Sequence, residues 1–489
     1  MSKLINNFID AISNTPHEIK LAHCISELKE DSHEKVIIYD VSDEFFIETL
    51  VASMITKHNI IVISSKCSKV EVIDLLLIHH EKAIIITSHD DVLSSINLEG
   101  LMPILNIRKG VNETKKEYVR QIPYHPYYKL HLFNENSVES VFTEEHVEKL
   151  YSEMDHTFVS NGIQSFNTKF FTCIQNTEDY FLYELFSIIK NGHSLRIYPF
   201  NIHRKDITDK SVTYSKKVEK VLFIEHNILL RKLDFILTDL FQSKMMFDAF
   251  FTNKLMEKLI ISFVSKRLKI KGFKKIIILG MPTNDILIRS LSKWKKIKVF
   301  NIFGETNRLI FNSFSDKIGL IKLYNNNCQL LFDIRKKDIL FGRLIIPDLV
   351  NEDKNISSTC YFMQDQRSDR NYATYCGYMF PLTREFPHNV ESLINRVPFI
   401  KDCLLLRIGK ENVLLYDLNI DILERAHYGL YDIRKSIKDY VLFINKTYLN
   451  EHTQIHRMRE MPEQGKRYSR FDTLNRKEIY KIEVYKNLE

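Results

Sequence analysis

The chain opens with three short apolar runs, Val36 to Tyr39, Ile60 to Ser64 and Ala83 to Thr87, separated by two stretches of helical spacing, Glu44 to Lys57 and Ser68 to Glu81. Strand, helix, strand, helix, strand at this spacing requires parallel strands joined by crossover helices. The first part of the chain is therefore α/β. Ser68 and Glu71 form a capping box at the entry to the second helix. The adjacent His79 and His80 in that helix point to different faces, which argues against a metal pair.

Farther on, Tyr128 to Phe133 reads as a strand and Thr143 as the cap of a helix from Glu144 to about Met154. The polar connection Asn134 to Ser140 has neither the glycines nor the lysine of a phosphate cradle. A second α/β run follows. Lys169 to Gln175 is a strand, Glu178 to Asn191 a helix ended by Gly192, and Ser194 to Tyr198 the next strand. Met245 to Lys266 is largely helical, Lys275 to Leu279 is a buried strand, and Gly280-Met281-Pro282 is a turn. Thr283 caps a helix to about Trp294, which leads into the apolar run Ile297 to Phe300. That run ends in Asn301-Ile302-Phe303-Gly304-Glu305-Thr306-Asn307, polar groups delivered where open α/β sheets bind ligands.

Leu320 to Pro347 has the turn chemistry of an antiparallel meander. The polar stretch Asn351 to Arg370 is expected to link this part to an α+β C-terminal domain, whose tail presents Lys466 in the loop Met461 to Arg467. At 489 residues the chain exceeds one compact core. Its 44% hydrophobic content excludes a disordered protein. The net charge of +7 lies in short clusters such as Lys293 to Lys296 without interleaved aromatics, which reads as solvated surface and no nucleic-acid interface. The seven cysteines form no CxxC and have no histidine at zinc-ligand spacing, fitting a reducing compartment. No apolar run approaches the roughly 18 to 20 residues of a membrane span and no signal pattern opens the chain, so a cytoplasmic protein is expected. These residues describe an enzyme for an anionic substrate: a large α/β domain, a small mobile domain, and a loop lysine between them.

The order of these pieces resembles the adenylate-forming superfamily of acyl-CoA synthetases, luciferases and nonribosomal peptide adenylation domains. Phe303-Gly304-Glu305-Thr306-Asn307 is similar to the family's Tyr-Gly-x-Thr-Glu. Ile276 to Gly280 and the following helix resemble the strand, glycine turn and helix that precede it. Asp179 to Glu184 and on to Leu195, then Gly377-Tyr378, Asn389 to Glu391 and Pro398 to Cys403, look like further family segments. Pro462 with Gly465-Lys466 is similar to its lysine loop. The resemblance implies two doubly wound α/β subdomains and a β-rich subdomain at about 312–367 within a large domain of residues 1–368. A mobile α+β domain at 369–489 would turn on a hinge near Ser368-Asp369-Arg370.

The chemistry implied is attack of a carboxylate on ATP to give an acyl-adenylate, then transfer to a thiol of CoA or of an acyl or peptidyl carrier protein. Lys466 would offset the charge on the transferring groups. Thr306 and the backbone of Gly304 would hold the phosphate, with Phe303, Glu305 and Gly280 on the nucleotide side and Asp365 on the ribose. Asp179 stands where amino-acid-activating members face the substrate ammonium, although the residue by itself reads first as an ordinary helix N-terminal carboxylate favoured by the macrodipole. Tyr183, Ile302 and Ile310, with Tyr180 and Leu279, fall at acid-pocket positions, and their bulk favours an aromatic or apolar acid. Two departures stand out. The phosphate loop at Phe133 to Val141 keeps only Ser137 and Ser140 as hydroxyls, and the glutamate that helps to hold Mg2+ is replaced by Asn307. An alternative is therefore a non-catalytic relative that docks a carrier protein or an enzyme partner.

Overall fold

The computed structural model of the protein describes residues 3–42, 44–57, 59–64, 67, 69–88, 100–108, 127–133, 139–164, 167–174, 177–197, 218–240, 254–268, 270, 272–280, 284–303, 313–323, 329–336, 338–347, 355–367, 370–377, 391, 394, 400–408, 411–425 and 453–457. The first sheet contains β1 (Lys35–Tyr39), β2 (Asn59–Ile63), β3 (Ala83–Thr87), β4 (Ile104–Asn106), β5 (Lys129–Phe133) and β6 (Glu139–Thr143), in the order β4-β3-β1-β2-β5-β6. Only β6 runs antiparallel to its neighbour.

Alternate residues of these strands feed two different cores. Val36, Ile38, Ile60, Val62, Ile84 and Ile86 enter one, which also takes in helix Phe46–Thr56. Ile37, Ile61, Ile63, Ala83 and Ile85 enter the other, with Val72, Leu75 and Leu76 of helix Lys69–His79. The crossovers from β1 to β2 and from β2 to β3 thus lie on opposite faces, so the sheet is doubly wound. Ser68, the expected cap, lies outside the described residues. Thr143 does cap helix Glu144–Ser160: its Oγ1 accepts from His146 N, and His146 Nδ1 accepts from Thr143 N at 3.1 Å. The helix outruns Met154 because Thr157 and Phe158 continue its buried stripe.

The second sheet contains β7 (Thr168–Cys173), β8 (Glu219–Glu225), β9 (Lys275–Leu279), β10 (Lys298–Phe303) and β11 (Ser313–Ser315), in the order β11-β10-β9-β8-β7. β7 to β10 are parallel and β11 is antiparallel to β10. Phe170, Phe223, Ile277, Leu279 and Ile302 share the first sheet's core with helix Thr177–Asn191 and with the N-terminal helices Lys3–Ile12 and Pro16–Glu30. Phe171, Leu222, Ile224, Ile276 and Ile278 face a separate core with helices His226–Leu240, Lys254–Arg267 and Asp285–Leu291. One apolar layer is therefore held between the two sheets.

Several expectations are corrected. The strand expected at Ser194 to Tyr198 is reduced, among the described residues, to a parallel bridge between Arg196 and Thr172. The helix expected from Thr283 to about Trp294 is capped by Asn284, whose Oδ1 accepts from Leu287 N at 3.1 Å, and ends at Leu291. The expected linker at Asn351 to Arg370 is largely strand. β12 (Leu320–Lys322), β13 (Gln329–Lys336), β14 (Ile339–Pro347), β15 (Asn355–Asp365) and β16 (Tyr372–Gly377) form an antiparallel sheet ordered β12-β16-β15-β14-β13. In β15, buried Phe362 and Gln364 alternate with half-buried Tyr361, Met363 and Asp365. A strand with one face toward water carries polar residues in this way and mimics a linker in composition. The sheet crosses the expected boundary at 368/369 and ends at Gly377.

Beyond it, β17 (Ile400–Ile408) and β18 (Glu411–Leu418) pair antiparallel, and β19 (Thr453–Arg457) lies parallel to β18. Cys403, Leu405, Leu414 and Ile422 bury in the same core as helix His226–Leu240.

Candidate functional site

Where successive crossovers leave neighbouring parallel strands toward opposite faces, the strands' carboxyl ends open a crevice in which α/β sheets bind ligands. In the second sheet this point lies between β7 and β8. Helix Thr177–Asn191 leaves β7 toward the inter-sheet core and returns beside β7 at Arg196, whereas helix His226–Leu240 leaves β8 toward the opposite core.

Charged and polar groups withdrawn from water gather at these strand ends. Glu225, the last residue of β8, is 3% exposed and pairs in register with Leu279 of β9. Its carboxylate accepts from Asn227 Nδ2 at 3.2 Å and forms no ion pair among the described residues. Arg196 is committed to Glu184 of helix Thr177–Asn191, in a pair buried on both sides. Burial, together with the Glu225 carboxylate, pushes the Cys173 thiol up to about 12, against the opposing charges of Arg196 and Lys232. Thr172 Oγ1 is buried and has no hydrogen-bond partner among the described residues.

Next to this crevice stands Gly280, at φ +79°, directly after β9. Its N–H donates to Ile302 O at 2.9 Å, tying the turn to β10. A Cβ added at Gly280 would stand 2.5 Å from Nδ1 of the buried His226, so the imidazole occupies the space that glycine leaves. On β10, Asn301 donates through Nδ2 to Leu320 O at 3.2 Å, while its Oδ1 has no partner among the described residues.

The sequence-derived residues fall into three groups. Tyr183, Ile302 and Leu279 are brought together in the inter-sheet core, with the Tyr183 ring 5.6 Å from Phe223 and 6.0 Å from Tyr180. Burial raises the Tyr183 phenol well above its ordinary range. Helix Thr177–Asn191 is kinked at Tyr180, at φ −125° and ψ 22°. Asp365 lies elsewhere, at the end of β15 opposite Ile339, where its Oδ1 accepts from Arg367 N at 2.9 Å. Gly304, Glu305, Thr306, Asn307, Ile310 and Lys466 lie outside the described residues, as do the side chains of Asp179 and Phe303. The β5–β6 hairpin pairs Phe133 with Glu139, and the connection 134–138 between them is outside the described residues too.

Glu225 and His226 were not anticipated. Their signal was present: the apolar run Val221 to Ile224, then Glu225-His226-Asn227, then the helical spacing Ile228, Leu229, Leu233 and Ile236. This repeats the grammar of Ile297 to Asn307. Among the described residues, no three His, Cys, Asp or Glu side chains converge on a point that could hold a metal ion. No described helix is long and apolar enough to cross a membrane.

These features define an α/β protein built on two doubly wound sheets, and comparison with solved structures finds the same fold. No protein-family model matches the sequence. No curated protein matches it. Among solved structures, the unliganded o-succinylbenzoate–coenzyme A synthetase of Bacillus subtilis is 11% identical, with a TM-score of 0.57 over 90% of this chain and 92% of that one. McyG A-PCP complexed with phenylalanyl-adenylate is 10% identical, with a TM-score of 0.63 over 96% of this chain and 78% of that one. The amide bond synthetase McbA of Marinactinospora thermotolerans is 8% identical, with a TM-score of 0.58 over 94% and 96%. The resemblance read in the motifs therefore holds at the level of the fold.

Proposed function

We propose that the protein is an ATP-dependent adenylate-forming ligase that activates a carboxylic acid and passes the acyl group to a thiol of CoA or of a carrier protein. The observation that carries this reading is the junction of Gly280 with β10. The Gly280 N–H is bonded to Ile302 O, one residue before the strand runs out into Phe303-Gly304-Glu305-Thr306-Asn307. Turn and strand end thus stand side by side, where a nucleotide on one side meets an acid on the other. The B. subtilis synthetase has been solved with ATP and magnesium ion, which supports the same nucleotide here.

In this reading the acid's carboxylate oxygen forms a bond to the α-phosphorus while the bond to pyrophosphate breaks. Lys466 offsets the negative charge shared between carboxylate and phosphate. Thr306 and the Gly304 backbone hold the α-phosphate. Phe303, Glu305 and Gly280 border the nucleotide, and Asp365 accepts from the ribose hydroxyls. Asp179, Tyr183, Ile302 and Ile310 border the acid. Asn307 offers a neutral amide oxygen where the resembling enzymes carry a carboxylate, so no protein carboxylate is assigned to Mg2+. The C-terminal part then turns to admit the thiol, on a hinge placed after Gly377, because β15 and β16 pair in one sheet that ends there.

One observation favours a second reading. The connection between the paired strands β5 and β6, Asn134-Glu135-Asn136-Ser137-Val138, contains neither glycine nor lysine. On that reading the protein is a non-catalytic module that docks a carrier protein. Calorimetry separates the two. ATP binding with pyrophosphate release for one class of acid supports the ligase, and no binding at millimolar nucleotide supports the module.

A further inference from the structure

We propose that the outer face of helices His226–Leu240 and Lys254–Arg267 docks on an anionic phospholipid bilayer, which the protein touches without spanning. The proposal is independent of the ligase reading.

The apolar side chains are the first argument. Helix Lys254–Arg267 buries Ile260 and Val264 in the core that it shares with helix His226–Leu240. Away from that core, at steps of four residues, stand Leu255 at 63% exposure, Leu259 at 55%, and the partly buried Phe263. On the neighbouring helix Phe235 is 41% exposed. The last turns of the two helices are tied, because Arg267 Nη1 donates to Asp239 Oδ2 at 3.0 Å while its guanidinium stands 4.9 Å from the Phe263 ring centre. Phe235 and Phe263 each lie one turn before this tie, so both helices turn apolar residues to one face. Single exposed apolar side chains are ordinary, but a cluster on adjacent turns marks an interaction surface.

The second argument is the charge around them. Lys258 and Lys266 on one helix and Arg231 on the other are exposed and form no ion pair among the described residues. The basic run Lys293 to Lys296 is brought to the same place, because Trp294 Nε1 donates to Ser265 O at 3.0 Å. Its three lysines are exposed beside the last turn of helix Lys254–Arg267. Two acids of these helices are neutralised, Glu257 by Arg289 and Asp239 by Arg267, and Asp234 is half-buried. Leucine and phenylalanine bordered by lysine and arginine is the composition of helices that lie in a membrane interface, where long basic stems run along the apolar surface to reach the headgroups.

The third argument is what such a face can accept. A second copy paired across a two-fold axis would bring these cations against their like. The apolar side chains stand on the outer turns of the helices and form a ridge, which suits a fluid surface that yields to leucine and phenylalanine. Anionic headgroups supply the counter-charge. No described helix is long and apolar enough to cross a membrane, so the contact is peripheral.

The test is flotation of the full chain with vesicles of phosphatidylcholine, alone or with one third phosphatidylserine. The wild type is expected to float with the anionic vesicles, less so at high salt and less with phosphatidylcholine alone. Lys258→Gln with Lys266→Gln should weaken binding about fivefold for each cation removed. Leu255→Ser with Leu259→Ser should weaken it about tenfold or more. Lys129→Gln with Lys169→Gln, exposed cations of β5 and β7, should leave it nearly unchanged. Urea midpoints check that each variant folds, as substitutions at exposed positions should allow. A wild type that floats with neither vesicle overturns the proposal, as does flotation that survives loss of both leucines. Equal weakening by the Lys129 and Lys169 pair would reduce the effect to diffuse charge and overturn it too. A dimer in sedimentation velocity that Leu255→Ser with Leu259→Ser disperses would give this face to a second copy instead.

Discussion

Both α/β sheets have a switch point, and the two are finished in opposite ways. In the first sheet it lies between β1 and β3, where Asp40 and Ser88 follow the strands. Ser88 N donates to Asp40 O at 3.3 Å, Thr87 Oγ1 donates to the same oxygen at 3.4 Å, and Ser42 N donates to Ser88 Oγ at 2.8 Å. These strand-end groups bond to one another. In the second sheet the equivalent groups are Glu225, with one amide donor, and Thr172, whose hydroxyl has no partner among the described residues. Two sheets of like winding therefore differ in how the polar groups at their strand ends are partnered among the described residues.

The largest effect that would sharpen this contrast is expected at the buried pair of the second sheet. Arg196→Met leaves the Glu184 carboxylate buried without its cation and should cost about 3–5 kcal/mol in urea denaturation. A loss below about 1 kcal/mol would show that the pair is solvated and the crevice open. Gly280→Ala comes next, because φ is +79° and the new Cβ meets His226. It should cost about 1–3 kcal/mol, and adding His226→Ala should recover the steric part while leaving the backbone strain. Full recovery in the double variant would mean that the left-handed backbone costs nothing.

Ser88→Ala, in the first sheet, should cost about 1 kcal/mol and leave ATP and acid binding unchanged. Weakened ligand binding in that variant would erase the distinction between the sheets. The last effect is confined to alkaline pH. The Cys173 pKa is raised in the fold from the ordinary 9.0 to about 12, so the unfolded chain loses its proton first. The stabilisation is fully present below pH 9.0 and is lost as pH rises toward 12. Denaturation midpoints measured across that window should fall with pH, and Cys173→Ala should flatten the fall.

Much of the scaffold was legible in the sequence, for a physical reason. Strands such as Ala83–Thr87 and Lys275–Leu279 are buried along their whole length, and their unbroken apolar runs are hard to mistake. β15 was hidden because, from Tyr361 to Asp365, only alternate residues are buried, so Asn351 to Arg370 reads as polar linker. β8 was missed although Val221 to Ile224 is as apolar as its neighbours, since it is framed by Glu219-Lys220 and Glu225-His226. The site was legible only in outline. Local pattern marks Gly280 as a turn, but the imidazole above it comes from a distant helix, and so does the Glu184 partner of Arg196. Contacts of this kind carry no local signature. Resemblance to adenylate-forming enzymes gave roles to Thr306 and Lys466, which lie outside the described residues.

Adenylate formation is tested most directly by pyrophosphate release from ATP with the wild type and Lys466→Ala, over amino, aryl and fatty acids. Acid-dependent release by the wild type, abolished in Lys466→Ala while its urea midpoint stays unchanged, is the predicted result. Absence of release with every acid, or equal release by the folded variant, would contradict it.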